Sequence, residues 1–207
     1  NGNPRSQQSL HYVTDGKLND YEKAIIKLCS MFIKYDSDNR VPVRGFGIDL
    51  DGSPNNCFRI GNELQADGIG GILDTYRSAI QQTFDMSLSK DWSIVISNAV
   101  DLARKRQIDA DFSGVHNYSV LLILSNGPVD NTDATIDALH EATSVPLSIV
   151  VVGIGDSDFS EIAQLLEGDL RNDIITFVNF HDDQNSLEDL EQVALFNVVH
   201  QLEHYFI

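Results

Sequence analysis

Ser125-Asn126-Gly127 ends a short, unbroken apolar run that begins at Tyr118. A run of this kind, bounded by turn formers, marks a strand buried on both faces of a parallel sheet. Ligands of such sheets sit just past the carboxyl ends of the strands, so the hydroxyl, amide and backbone oxygens at 125–127 are the first candidates for ligand chemistry. Four other patterns compete with them. His200-Gln201-Leu202-Glu203-His204 matches the His-x-x-Glu-His spacing that sets two zinc-binding imidazoles beside a general base on one helix face. Zinc catalysis also needs a third protein ligand, usually from farther along, and the sequence runs only to Ile207, so a solvated terminal helix is expected. Gly153-Ile154-Gly155 follows an apolar run like a dinucleotide loop, but Asp158 stands where the third glycine belongs, and with Asp156 it would repel a pyrophosphate. Asp36-Ser37-Asp38 and Asp49-Leu50-Asp51-Gly52 resemble fragments of calcium loops without the distal Glu, and read as solvated turns.

The elements that must position these residues alternate. Asn19 with Glu22 three positions later is a capping-box pattern, opening a helix with Tyr21, Ile25, Leu28 and Phe32 on one face and ending near Tyr35-Asp36. Val41 to Ile48 and Cys57 to Ile60 read as strands. Asp67 caps a helix through Ile72, Leu73, Tyr76 and Ile80 whose glycine-rich first turn suggests close approach to a neighbour or a mobile start. Helices follow at Trp92 to Arg106, from Asp130 or Thr132 to Ala142, at Phe159 to Leu166 and at Ser186 to Tyr205, with strands at Pro146 to Val152 and Asp173 to Val178. This order implies one α/β domain over 1–207, an open, doubly wound and mostly parallel sheet. The pattern opens with a helix, whereas such folds normally open with the central strand.

With 14 Lys and Arg against 31 Asp and Glu, the net charge of -17 disfavours nucleic acid and anionic lipid headgroups, which need clustered cations. The one basic run, Arg104-Lys105-Arg106, is expected to complement the negative end of a helix. The two cysteines, Cys29 and Cys57, are read as reduced core thiols of a cytoplasmic protein, and no run has the length of a membrane span.

Six stretches carry a family likeness: Asn1-Gly2-Asn3-Pro4, Ser9-Leu10-His11-Tyr12, Tyr35-Asp36-Ser37-Asp38, Gly45-Phe46-Gly47, Pro146-Leu147-Ser148-Ile149 and Val152-Gly153-Ile154-Gly155. In residues and order they resemble the von Willebrand factor A-type domain of the copines, a Rossmann-like fold, over nearly the whole chain. A plant-type group of RING ubiquitin ligases carries a similar domain. A Cys/His-rich tail downstream would mark that alternative and tandem C2 domains upstream the copine, and Asn1-Gly2-Asn3-Pro4 favours the copines. The resemblance implies that the central strand and its Asp-x-Ser/Thr-x-Ser loop lie upstream of Asn1. It also implies a non-catalytic domain that recruits protein partners, in a protein whose C2 domains bring it to membranes in a calcium-dependent way.

Domains of this class hold a divalent cation at the top of the sheet with oxygen ligands from three loops. Where the family has Gly-Pro-Thr-x-Phe, this chain has Leu88-Ser89-Lys90-Asp91-Trp92, and where it has Thr-Asp-Gly, this chain has Ser125-Asn126-Gly127. The alignment puts Lys90 in the threonine's place, or Ser89 with a one-residue gap. Lys90 brings a cation with donors only, and Asn126 removes an anion, so no metal, or Mg²⁺ only weakly, is expected here. The Lys90 ammonium either pairs with the upstream Asp or points into solvent. The expected partner surface comprises Asn1, Asn3, Ser89, Lys90, Ser125, Asn126 and Gly127.

Overall fold

The computed structural model describes residues 4–14, 16–50, 53–55, 57–81, 85–86, 90–166, 174–180 and 187–206. Two compact units share the chain, residues 1–90 with 181–184, and residues 91–180 with 185–207.

In the first unit Asn19 caps as its spacing predicts: its side chain accepts from Glu22 N at 2.9 Å, and Glu22 Oε2 accepts from Asn19 N at 2.8 Å. Helix α1 (Asp20–Ala24) runs through a π-helical turn (Ile25–Cys29) into α2 (Ser30–Phe32) and a 3₁₀ turn (Ile33–Tyr35). Tyr21, Ile25 and Leu28 are buried on the expected face with Ala24 and Met31, and Phe32 is half-buried. The strand expected over Val41 to Ile48 is instead three short pieces, β1 (Arg40–Val41), β2 (Arg44–Gly45) and β3 (Ile48–Leu50). Pro42 offers no ladder N–H, and Gly47 turns the chain at φ 74°, so no single strand can pass through both. The unit continues with β4 (Ser53–Asn55), β5 (Phe58–Arg59), β6 (Ala66–Asp67), α3 (Gly68–Gln81) and β7 (Asp85–Met86). All its pairings are antiparallel: β1 with β6, β2 with β5, and β3 with both β4 and β7. No close approach requires the glycines in the first turn of α3: a Cβ on Gly71 would lie in ordinary contact with Ala66 at 3.4 Å, and one on Gly68 or Gly70 would meet nothing within 4 Å, while Gly68 is needed for its φ of 59°.

The second unit is the α/β sheet. It contains α4 (Trp92–Ser113), β8 (Ser119–Ser125), α5 (Thr132–Ala142), β9 (Leu147–Ile154), α6 (Ser160–Leu166), β10 (Ile175–Phe180) and α7 (Leu187–Phe206). Both pairings are parallel in the order β10-β9-β8, with Leu121 opposite Ile149 and Phe177 opposite Val151. Helices α4, α6 and α7 pack on these strands, and α5 packs on α4. Strand β9 is buried at all eight positions, as the centre of a helix-covered sheet should be. Strand β8, expected to be buried throughout, is an edge of this described sheet: only Ile123 and Ser125 are buried, and Val120 is 36% exposed.

Helix α4 outruns its expected end at Arg106 because no Gly or Pro occurs before Gly114, which closes it. Arg104-Lys105-Arg106 therefore sits inside the helix rather than at its negative end, and Arg104 pairs with Glu141 at 3.0 Å and Asp101 at 3.7 Å. The cap of α5 is neither Asp130 nor Thr132 but Asn131, in the left-handed region.

Candidate functional site

The carboxyl end of β8 brings Ser125, Asn126 and Gly127 against the loops that follow β8 and β9. Ser125 is 2% exposed, and its hydroxyl donates to the Gly127 carbonyl at 3.5 Å. The Asn126 carbonyl accepts from Ser157 Oγ at 2.9 Å, tying the two loops together. Asp91 caps α4 by accepting from Ser93 N at 2.9 Å, its other oxygen accepts from Asn131 Nδ2 at 3.2 Å, and its backbone bridges Asp130. That bond explains the cap of α5: the Asn131 amide is held toward Asp91 and does not fold over its own helix start. Sequence reasoning missed Asp91, Asn131 and Ser157; the signal available was Asp91 immediately before the apolar face of α4. Lys90 is half-buried in the first unit, while Asn1, Asn3 and Ser89 lie outside the described residues.

The other motifs fall apart as sites. His200, Glu203 and His204 are exposed on α7, and among the described residues no three His, Cys, Asp or Glu side chains gather as metal ligands. Gly155 turns the chain at φ 85° beyond β9, and Asp158 accepts from Ser160 N at 2.9 Å at the start of α6, a bond that lowers the Asp158 pKa. Asp38 accepts from Arg40 N at 2.9 Å in an exposed turn, and Asp51-Gly52 lies outside the described residues. Neither Cys29 nor Cys57 is in a disulfide, and burial raises the Cys29 thiol to about 11, far from a reactive thiolate.

A buried polar cluster that no motif signalled lies in the first unit. The His11 ring stacks on Tyr21 at 4.3 Å between centroids, and its Nδ1 is 2.9 Å from the Tyr76 hydroxyl. Asn19 Nδ2 donates to that hydroxyl at 3.2 Å, and Arg77 Nε donates to the fully buried Glu22 at 2.7 Å. Burial lowers the His11 pKa from 6.5 to about 4 and raises that of Tyr76. The unfolded chain thus binds the His11 proton more readily, so stability is full above pH 6.5 and falls as pH drops toward 4. The expected loss between pH 6.5 and 5 is about 2 kcal/mol. Urea midpoints across this range should show it in the wild type and not in His11→Asn; equal declines in both would refute the assignment.

The family profile described as Copine matches residues 9–207. The chain belongs to the copine family. It is 32% identical to Copine-B of Dictyostelium discoideum over 98% of this chain and 39% of that protein. It is 34% identical to Protein BONZAI 1 of Arabidopsis thaliana over 99% of this chain and 37% of that protein, and 32% identical to Copine-E of Dictyostelium discoideum, again over 99% and 37%. The chain therefore spans under two fifths of the length of these copine relatives. The three parallel strands and their helices give this copine domain its von Willebrand factor A-like architecture. Among the described residues no helix is long and apolar enough to cross a membrane.

Proposed function

We propose that this copine domain is a non-catalytic protein-recruiting module whose adhesion site does not hold a divalent cation. What supports the reading is the residue that follows β8: Asn126 brings a neutral amide where a carboxylate would bind metal. The nearby carboxylate of Asp91 is committed to the start of α4 and to Asn131. With Asn126 in the place of a carboxylate, this oxygen set carries less negative charge than a hard dication needs. Recognition at Asn1, Asn3, Ser89, Lys90, Ser125, Asn126 and Gly127 then proceeds through hydrogen bonds to a protein partner, without a bridging metal.

In the whole protein, calcium-dependent phospholipid binding belongs to C2 domains outside this chain, which bring a cytoplasmic copine to membranes. Calorimetric titration with Mg²⁺ and Mn²⁺ should give no saturable heat for the wild type. In a protein extended upstream to include the Asp-x-Ser/Thr-x-Ser loop, the double variant Lys90→Thr with Asn126→Asp should gain measurable Mn²⁺ binding that the wild type lacks. Micromolar affinity in the wild type would overturn the reading.

A further inference from the structure

Strands β2 and β5 pair antiparallel with Arg44 directly opposite Arg59 and Gly45 opposite Phe58. Residues directly opposite in such a pair share a face, with Cβ atoms about 4.5–5.5 Å apart, so two guanidinium groups stand side by side. Both arginines are exposed, and neither makes an ion pair or a side-chain hydrogen bond among the described residues. Like charges in this position weaken the pairing of two strands. The pair of β1 with β6 does the reverse, setting Arg40 opposite Asp67. One cross-strand arginine of the first unit thus meets an acid, while two others meet only each other.

The opposite face holds the two arginines in register. Side chains alternate along a strand, so Gly45 and Phe58 point away from Arg44 and Arg59. The Phe58 ring covers Gly45 so closely that a Cβ there would collide with it. Glycine is required by that close approach, and the packed ring fixes the backbone from which both arginines project.

The charge and shape of the pair select its ligand. A carboxylate has two oxygens and one charge, so a single guanidinium fork satisfies it and the second arginine stays unbalanced. A phosphate monoester has three free oxygens and nearly two negative charges at neutral pH, enough for both forks. The surroundings admit such an anion at this end of the chain: residues 1–90 carry ten Lys and Arg against eleven Asp and Glu, and residues 91–207 four against twenty. An anionic membrane is the poorer match, because two arginines do not offset a net charge of -17 in front of an extended negative surface.

We propose that Arg44 and Arg59 bind the phosphate of a phosphorylated serine or threonine in a protein partner, one guanidinium on each side of it. This deepens the reading of the domain as a protein-recruiting module, on which it rests, and does not depend on the loops beyond β8.

Fluorescence anisotropy of the full chain at about pH 7.5, where the phosphate is a dianion, tests it with a labelled alanine peptide carrying one phosphoserine. The same peptide with aspartate in that place is the control. The expected result is saturable binding of the phosphoserine peptide, at least about tenfold tighter than the control, weakened about tenfold by Arg44→Gln and by Arg59→Gln and untouched by Asn126→Ala. Each arginine substitution also relieves the repulsion between the strands, so neither should lower the urea midpoint. Absence of binding, equal binding of the aspartate peptide, or no effect of either substitution overturns the proposal. So does a lowered urea midpoint, which would make the arginines supports of the fold. Inorganic phosphate competing as tightly as the peptide, or binding confined to phosphatidic acid vesicles, overturns it as well, making the ligand free phosphate or a lipid surface. None of these outcomes bears on metal-independent recruitment at Asn126, which the calorimetry tests separately.

Discussion

Glu22→Ala should destabilise the protein by about 3 kcal/mol. Glu22 is wholly buried, and its two oxygens hold different donors. Oε2 closes the capping box on Asn19 N, and Oε1 receives Arg77 Nε. Losing a helix cap costs about 1 kcal/mol, and losing a hydrogen bond to a charged group about 1.5–3 kcal/mol. The sum stays below the worst cases for buried ion pairs because Arg77 is 41% exposed and can be rehydrated once its partner is gone. Glu22→Gln keeps an acceptor for Asn19 N and should cost clearly less than Ala. Urea denaturation gives the order; an alanine variant within about 1 kcal/mol of wild type would refute the dual role.

Trp92→Ala should cost about 3–5 kcal/mol through the cavity it leaves. Trp92 begins α4 with no exposed surface, and its Nε1 finds no acceptor among the described residues. Among the described residues no hydrogen bond is lost on truncation, so the expected effect is that of the lost apolar volume. Trp92→Phe, which deletes that donor together with one ring, should cost less than half as much. As Trp92 is the sole tryptophan, the unfolding is followed by far-ultraviolet circular dichroism. Equal losses for Ala and Phe would show that the indole nitrogen matters after all.

Local chemistry is legible wherever it is carried by neighbours in sequence. The Asn19–Glu22 capping box needs residues three apart, and both of its hydrogen bonds are present. The runs expected as strands at Pro146 to Val152 and Asp173 to Val178 become the parallel strands β9 and β10, since a continuous apolar run suits a helix-covered parallel sheet. Charge read as a stop signal ends α4 too early, at Arg106, whereas a helix ends where the backbone is broken, here at Gly114. β-Propensity alone makes the strand over Val41 to Ile48 too long, because the missing N–H of Pro42 outweighs it.

By itself the sequence determined the α/β class and the residues Ser125, Asn126 and Gly127 at the carboxyl end of β8, which follow from order and periodicity along the chain, and the family, which rests on the resemblance of six short stretches to the copines. Only the tertiary structure decided that β9 and not β8 is the buried centre of the described sheet. It alone also joined Asp91 to Asn131, and His11 and Glu22 to Tyr76 and Arg77. Those partners lie 40 to 65 positions apart in sequence, and contacts across such distances arise from the path of the backbone, which no local pattern of residue types encodes.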